Sequence, residues 1–409
     1  MTPVDLLAPQ SSSFALNQLP RAPLDGLYVH IPFCFHKCHY CDFYSITNQS
    51  PQRMDGFVDT LLREAELWTH SDAPAIRPRT IFFGGGTPSL LPINSMRRLL
   101  IGLRDRLDLS QVDEWTCEIN PATADYDYCL MLREQGVTRL SFGGQSFDRG
   151  ELTTLERHHD PEDVPRSIEL ARRAGFSRLN VDLIFAIPGQ TMATWNQSLD
   201  AVLSLRTPHI SCYALTYEPN TPLFVKRQQG KIQPMDESLE LEMLSETRRR
   251  LGSAGYRAYE ISNFAVPGEQ CRHNLLYWAG GSYAGLGPSA SSHAHGWRWK
   301  NKPHLLDWER GINSGAPAAL DVECLSVEQR IGEYAMLRLR LDVGIDYAEF
   351  SACWGCDARI VFADPIARFG RQGLLIADDR GIRLSDSGVR LADAIAAEFL
   401  TAARPSSRG

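Results

Sequence analysis

The chain has 409 residues, of which 43% are hydrophobic and 22% are charged, and its formal net charge is −7. This composition is ordinary for a globular protein with one large and one smaller domain. The acidic balance argues against nucleic acid as a partner and against direct attraction to an anionic membrane surface. The sequence lacks the apolar run of roughly 18 residues that a membrane span needs. Its ten cysteines are mostly isolated in apolar stretches, which predicts a reducing, cytoplasmic location.

Strands and helices are predicted to alternate through the first half of the chain. Apolar runs indicate strands near residues 27–31, 80–83, 115–119, 139–143, 178–184 and 209–215. The segments between them have apolar residues at helical spacing, at 55–68, 95–107, 125–135, 161–174 and 194–205. Such alternation implies a parallel sheet with right-handed crossovers, and ligand sites on such sheets collect at the carboxyl ends of the strands.

Three cysteines, Cys34, Cys38 and Cys41, stand close together directly after the first predicted strand. Three thiolates in one loop can hold three irons of a 4Fe–4S cluster and leave the fourth iron open to the amino and carboxylate groups of a small molecule. A zinc site completed by His36 or His39 would use the same thiolates. The three cysteines alone leave these two interpretations close to equal.

Glycine-rich and polar segments follow the next strands, and they favour a pocket for a small organic ligand. After the second predicted strand, residues 84–86 are glycines, whose missing side chains let the backbone approach a ligand closely, and Thr87 follows them. Polar side chains then occur at successive strand ends, at Glu118, Gln145, Arg157 and Asp182. Any one of them would usually be a capped or ion-paired surface residue, but four in succession indicate one shared pocket.

The second half of the chain is predicted to hold a long helix over 236–253 and a mixed tail over 325–400. In the tail we expect a helix, a hairpin and a final helix capped by Ser385, with the first three segments at 327–341, 373–377 and 381–384. This order suggests a winged-helix-like module. Its nine arginines, no lysine and twelve acidic residues oppose DNA binding, so we interpret it as a lid or interaction domain.

Taken together, these motifs resemble the radical S-adenosylmethionine (SAM) superfamily and, within it, the oxygen-independent coproporphyrinogen III oxidase group. The resemblance runs from about Leu27 to the C-terminus and is carried by YVHIPFC, GGGTPS, EINP, GGQS and DLIFAIPGQ. It implies an α/β fold, namely an incomplete (β/α)6 radical SAM barrel with a small C-terminal α+β winged-helix-like domain. The implied organisation is a flexible leader, the barrel core, a connecting segment with the HNLLYW motif, and the small domain, at 1–22, 23–235, 236–320 and 321–400.

The resemblance also implies roles for individual residues. Cys34, Cys38 and Cys41 would hold the 4Fe–4S cluster. The SAM methionyl amino group would meet the GGGTP element, its carboxylate Arg157 and its ribose Asp182. The full set of implied SAM contacts is Tyr28, Gly85, Gly86, Thr87, Glu118, Gln145, Arg157 and Asp182.

Two features separate the oxidases of this group from its heme chaperones. The oxidases carry a fourth cysteine two residues beyond the third, where this chain has Phe43. The chaperones lack that cysteine and carry His-Asn-x-x-Tyr-Trp, which here begins at His273. By this resemblance His273 would ligate heme iron, Tyr277 and Trp278 would offer flat apolar surface to the porphyrin, and Arg272 would pair with a propionate. Further candidate ligands are Cys271, His293 and His295, although a lone histidine beside aromatic residues is more often a core residue.

Two functions of different class follow. In the first, the protein is a heme chaperone that carries the cluster and SAM, binds heme and delivers it to apoproteins such as respiratory enzymes. Those clients would bring it to the membrane periphery, and the interpretation allows a homodimer. In the second, SAM is cleaved to a radical that abstracts a propionate hydrogen from coproporphyrinogen III, with loss of CO₂. A third interpretation, SAM-dependent heme breakdown, has less support.

Overall fold

The computed structural model describes residues 19–20, 22–69, 75–123, 125–315 and 319–403. Most of the leader predicted over residues 1–22 therefore lies outside the described residues. The predicted parallel sheet is present at the centre of the molecule, and its six strands pair in chain order. Their bounds are β1 Leu24–Ile31, β2 Ile76–Gly85, β3 Glu114–Ile119, β4 Arg139–Gln145, β5 Arg178–Phe185 and β6 His209–Ala214.

Further strands extend both edges of this sheet, so it does not close on itself. They are β7 Arg257–Ala258, β8 Asn263–Ala265, β9 Tyr283–Leu286, β10 Ser291–Ala294, β11 Trp297–Asn301 and β12 Ala319–Cys324. β9 pairs parallel to the outer edge of β1, and β8 pairs antiparallel to β6. Because β1 and β6 are not neighbours, the sheet forms the incomplete barrel that the sequence predicts. The antiparallel strands from β10 to β12 were not predicted.

Helices follow the central strands and bury their apolar faces in the main core. Their bounds are α1 Pro51–Leu67, α2 Ile93–Arg106, α3 Tyr126–Glu134, α4 Arg149–Thr154, α5 Asp163–Arg173, α6 Met192–Ser204, α7 Pro222–Gln228 and α8 Glu237–Ser253. Local capping defines several starts, for example the Ser50 hydroxyl that accepts from the Arg53 amide at the start of α1. The sequence did not predict α4 and α7, because six or seven residues are too few to show a helical period.

The chain then passes through α9 Arg272–Trp278 and α10 Leu305–Asn313 into a smaller α+β unit with its own core. Phe350, Phe362 and Phe399 are buried at the centre of that core. A three-stranded antiparallel sheet packs with the helices, in the order β13-β15-β14. The elements are α11 Val327–Arg338, β13 Ile345–Asp346, α12 Tyr347–Trp354, α13 Ala358–Val361, α14 Ala363–Arg371, β14 Leu375–Ala377, β15 Gly381–Leu384, α15 Asp386–Val389 and α16 Ala392–Ala402.

One detail of the predicted tail is wrong. Ser385 does act as a cap, but its hydroxyl accepts from the Gly388 amide at the start of the short helix α15. The final helix α16 begins separately at Ala392, after a break at Leu391. Gly388 lies too close to the Leu374 carbonyl to carry a side chain, and this packing fixes the short turn before the break. Among the helices of the described residues, none is both long and apolar enough to cross a membrane.

Candidate functional site

A cavity of about 680 Å³ lies at the carboxyl ends of the parallel strands, and we refer to it as the cofactor cavity. The end of each strand from β2 to β6 contributes to its wall, as expected for a site built on a parallel barrel. The structure brings to this wall all three predicted cluster ligands and seven of the eight predicted SAM contacts. They are Cys34, Cys38, Cys41, Gly85, Gly86, Thr87, Glu118, Gln145, Arg157 and Asp182.

The cysteine loop and the glycine turn are held together by their backbones. The Gly86 amide donates to the Ile31 carbonyl over 2.8 Å, and the Thr87 amide donates to the Phe33 carbonyl over 2.7 Å. A Cβ on Gly86 would lie 2.7 Å from the Phe33 oxygen, so a residue with a side chain cannot approach this closely. The Cys34 amide in turn donates to the Ile46 carbonyl over 2.9 Å. These bonds fix the first thiol beside the glycine-rich turn.

The three thiols are spread around the loop. The Thr87 hydroxyl lies 3.7 Å from Cys34 Sγ, and a guanidinium nitrogen of Arg157 lies 3.7 Å from Cys38 Sγ. Burial raises the pKa of Cys34 above its usual value and that of Cys41 to about 12. Three thiols in one loop beside a glycine-rich turn form a donor set that fits a 4Fe–4S cluster with one iron left open.

The histidines of the loop do not complete a zinc site with the thiols. His36 Nε2 faces Glu156 Oε2 at 3.6 Å, and His39 Nδ1 lies 3.0 Å from the Lys226 ammonium. Each imidazole is thus directed to a group outside the cysteine triplet. The arrangement gives no support to the zinc interpretation that the three cysteines alone left open, and it is compatible with the cluster that the following motifs predict.

Two carboxyl groups face the cavity in an environment that disfavours their charged forms. Burial, together with the nearby Asp182, raises the pKa of Glu118 to about 8. Burial also raises the pKa of Asp182, although its carboxylate accepts from the Ser141 hydroxyl over 3.1 Å and from the Asn180 amide over 2.8 Å. A bound group with hydroxyl or ammonium donors would stabilise these carboxylates in place of water.

Backbone strain occurs next to the remaining polar residues of the cavity. Gln145 and Glu156 have φ values of +63° and +56°, in the left-handed region that side chains disfavour. Arg157 follows the second of them and donates to the Gly143 carbonyl over 2.7 Å. Such strain is commonly held at functional sites, where the surrounding structure over-determines the conformation.

Tyr28 is the predicted SAM contact that the structure does not bring to the cavity. Its ring stacks on Phe82 at 6.4 Å between centroids, and its hydroxyl lies 3.1 Å from His30 Nδ1. Tyr28 lies in the middle of β1, three residues before the end of the strand, whereas the cavity lies at the carboxyl ends of the strands.

His273 is buried, and the structure does not expose it on an open surface for heme. Its Nδ1 lies 2.8 Å from the Thr80 hydroxyl, its Nε2 lies 2.8 Å from the Tyr277 hydroxyl, and its ring stacks on Phe82. Neither nitrogen can ligate iron in this conformation unless one of these bonds breaks. Burial lowers the pKa of His273 to about 3, so the imidazole is neutral at physiological pH.

The helix that carries the HNLLYW motif is anchored on the sheet by one buried carboxylate. Glu114, at the start of β3, accepts from the amides of Arg272 and His273 over 3.1 Å each. The same carboxylate forms an ion pair with Arg178 at 2.9 Å. A carboxylate at a helix N-terminus satisfies amides that have no partner within the helix. Sequence inspection did not identify Glu114, because its partners are about 60 and 160 residues away along the chain.

A second cavity, of about 750 Å³, lies between α9, the strands β9 to β11 and α11. Its wall includes three residues of the HNLLYW motif, other aromatic rings and basic side chains, among them Asn274, Tyr277, Trp278, Tyr283, Trp299, His293, Arg298 and Arg340. Tyr213, at the end of β6, lines both cavities. The sequence predicted neither this second cavity nor the position of Tyr213 between the two.

Comparison with known proteins agrees with this geometry. The radical SAM superfamily profile matches residues 28–202, and the HemN C-terminal domain profile matches residues 325–391. The heme chaperone HemW of Lactococcus lactis is 32% identical over 92% of this chain and 97% of its own length. This chain belongs to the HemW family. The HemW of Escherichia coli is 40% identical over 66% of this chain and 70% of its own length.

A solved structure supports the fold. Coproporphyrinogen III oxidase (HemN) from Escherichia coli, described as a radical SAM enzyme, superposes with a TM-score of 0.81 over 94% of this chain and 92% of its own. Its sequence identity of 24% makes this a likeness of architecture alone. Both the barrel and the C-terminal α+β unit are covered by the match.

Proposed function

We propose that this protein is a heme chaperone, which binds heme, a 4Fe–4S cluster and SAM and delivers heme to client apoproteins. The observation that carries the proposal is the pair of adjacent cavities, one lined by thiols and polar strand ends and the other by aromatic rings, in a chain of the HemW family. The relatives that match over most of the chain are named as heme chaperones.

In the cofactor cavity, Cys34, Cys38 and Cys41 would hold the cluster. The donor set of three thiols suits this group, and when bound it supplies an electron to SAM. Arg157 is suited to the SAM carboxylate, and Glu118 and Asp182 to its amino and ribose groups. The backbone of Gly85, Gly86 and Thr87 and the side chain of Gln145 would complete the pocket. Tyr28 would act indirectly, through its bond to His30.

In the second cavity, aromatic rings and the basic side chains would contact heme, whereas the acidic side chains of the same wall would face away from its propionates. Tyr277, Trp278 and Tyr283 supply flat apolar surface for a porphyrin. Arg340 lies over the Trp278 ring at 4.9 Å and is suited to a propionate at the edge of that surface. We therefore propose that heme occupies this cavity.

His293 is the imidazole on the wall of this cavity, and it is prepared to ligate iron. Its Nδ1 donates to the Gly281 carbonyl over 3.0 Å, which leaves the lone pair on Nε2. A backbone acceptor of this kind commonly orients a metal-binding imidazole. Ligation by His273 stays a prediction, and it requires that the bond to Thr80 or Tyr277 be given up at a cost of about 1–3 kcal/mol.

The alternative activity, oxidative decarboxylation of coproporphyrinogen, has less support. Phe43 occupies the position of the fourth cysteine of the oxidases and lines the cofactor cavity with 59% of its surface exposed. We propose a cytoplasmic location, as the isolated cysteines indicate, with heme-accepting apoproteins as partners. Contact with the membrane would come through those clients, and a homodimer is compatible with the interpretation.

The test is an anaerobic heme titration of the cluster-loaded protein, followed by Soret absorbance. We expect saturable binding in the wild type, loss of the axial signature in His293→Ala, and unchanged binding in His304→Ala, whose ring is exposed outside both cavities. If His273→Ala loses binding while His293→Ala retains it, the ligand is His273. A wild type that binds no heme, or that decarboxylates coproporphyrinogen at a useful rate, would overturn the chaperone proposal.

A further inference from the structure

Three side chains at the mouth of the cofactor cavity form a compact group outside the cluster ligands. His36 comes from the cysteine loop, and Glu156 and His158 flank Arg157 in the segment after α4. Their nearest metal-ligating atoms all lie within 4.8 Å of one another, with His36 Nε2 and Glu156 Oε2 at 3.6 Å. The two imidazole rings are 4.4 Å apart between centroids. All three residues line the cavity.

The contacts within this group are too long for hydrogen bonds but suit a shared cation. His36 Nε2 is shielded from solvent and has no hydrogen-bond partner among the described residues. In a tetrahedral zinc site, bonds of about 2.0–2.2 Å to nitrogen and oxygen place neighbouring ligand atoms roughly 3–4 Å apart. The His36 to Glu156 distance of 3.6 Å already falls in that range, and the ligand atom of His158 lies within 4.8 Å of both.

We propose that His36, Glu156 and His158 bind a divalent transition-metal cation of the zinc class, with a fourth position open to solvent. Two imidazoles and one carboxylate are a common donor set for such ions. This site is additional to the proposed heme, SAM and cluster sites and does not depend on them. The cation would join the cysteine loop to the segment that carries Arg157, and so would hold the guanidinium against Cys38 and the Gly143 carbonyl.

The groups around the three side chains explain why His39 is not a fourth ligand. His39 Nδ1 also lies 3.6 Å from the Glu156 carboxylate, but the Lys226 ammonium 3.0 Å from the same nitrogen would repel a cation there. The ring arrangement of His36 and His158 does not allow the two imidazoles to ligate one heme iron together. Axial ligands stand on opposite faces of a porphyrin, and rings 4.4 Å apart at 67° leave no space for a macrocycle between them.

The experiment is zinc binding by equilibrium dialysis of the cluster-loaded protein under anaerobic conditions, with iron, sulfide and zinc measured in the same samples. We expect about one zinc per chain in the wild type and at least a tenfold weaker affinity in His36→Ala and in His158→Ala. His304→Ala, which removes an exposed histidine elsewhere, should bind zinc like the wild type. Zinc binding that persists in the His36→Ala, His158→Ala double variant would overturn the proposal.

X-ray absorption spectroscopy at the zinc edge, on wild-type protein loaded with cluster and zinc, distinguishes zinc bound at this site from zinc bound by the cysteine thiols. The proposal requires a first shell of nitrogen and oxygen only. Sulfur in that shell, or loss of iron as zinc binds, would show that zinc occupies the cysteine loop and would contradict the proposal. Heme titration of the same variants distinguishes a failure of the zinc proposal from a failure of the heme proposal. His36→Ala should bind heme like the wild type.

Discussion

The two cavities are adjacent, yet they are built in different ways. The wall of the cofactor cavity comes from consecutive strand ends of one sheet, and its polar residues occur in chain order with the strands that position them. The wall of the second cavity comes mainly from elements of different kinds that follow one another over residues 272–340, namely α9, the antiparallel strands and α11 of the C-terminal unit, and no repeated strand-end pattern marks its residues. A site of the first kind can be found from short motifs, whereas a site of the second kind exists only once the chain has folded.

The chemistry of the two walls differs as well. The cofactor cavity contains thiols, a buried guanidinium and two carboxyl groups whose pKa values are raised. The second cavity contains aromatic rings together with both basic and acidic side chains, and it has no thiol on its wall. Tyr213 lines both cavities. Under the proposed function, the first cavity would hold the cluster and SAM, and the second would hold heme.

The largest expected effect is the loss of the cluster from the cofactor cavity while heme binding in the second cavity is kept. Replacing Cys38 by alanine should abolish the 4Fe–4S chromophore, because a cluster held by three thiolates loses one of its three protein ligands. Iron and sulfide content should fall with it, while heme binding in the second cavity should persist. Cys324→Ala, which changes an exposed cysteine on β12, is the control and should keep the cluster. A full iron complement in Cys38→Ala would contradict the assignment of the three cysteines as cluster ligands.

A large stability effect is expected at the base of α9, which supports the second cavity. Glu114→Ala removes a buried carboxylate that pairs with Arg178 and caps α9, so it should lower the free energy of unfolding by about 3–5 kcal/mol. Asp113→Ala, at the preceding position, removes partly exposed ion pairs with Arg79 and Arg272 and should cost at most about 1 kcal/mol. Denaturant unfolding of both variants measures the difference. If both variants lose the same free energy of unfolding, Glu114 does not anchor α9 on the sheet.

The raised pKa of Glu118 predicts a pH dependence specific to the cofactor cavity. Because its folded pKa is about 8 against an ordinary value of 4.5, the unfolded chain releases this proton first. The group therefore contributes its full stability at low pH and loses it progressively as pH rises towards 8. In SAM-free protein, the melting temperature of Glu118→Gln relative to wild type should increase between pH 5.5 and 8.

The control for this measurement is Gln228→Asn, which changes an exposed amide at the end of α7 and leaves every titratable group in place. Its melting temperature relative to wild type should stay constant over the same pH range. If the difference in melting temperature between Glu118→Gln and the wild type is also constant with pH, the pKa of Glu118 is not raised by the cavity.

The smallest expected effect concerns backbone strain. Glycine adopts positive φ without a steric penalty, so Gln145→Gly should stabilise the SAM-free fold by up to about 1 kcal/mol and weaken SAM binding. Gln135→Gly provides the comparison, since Gln135 has a φ of −86° and glycine relieves no strain there. Thermal unfolding and SAM calorimetry measure the two effects. If Gln145→Gly is less stable than the wild type and binds SAM with full affinity, then Gln145 is neither strained nor needed for SAM binding.

The sequence by itself determined the barrel and nearly all of the cofactor cavity. Alternating apolar runs and helical periods specify a parallel sheet, and in such a sheet residues at strand ends meet regardless of loop detail. Glu118, Gln145 and Asp182 were therefore predictable as neighbours. The exception, Tyr28, lies in the middle of its strand, where the pleat and the packing of Phe82 decide its direction.

Only the tertiary structure decided the environment of the HNLLYW motif. Whether His273 is open or buried depends on Thr80 of β2 and on the Glu114 anchor, which are distant along the chain. The same holds for His293, which reaches the second cavity through the pairing of β10 with β9 and β11. Short motifs encode which groups are present, but the free energy of burial and the register of remote strands determine which of them remain available to a ligand.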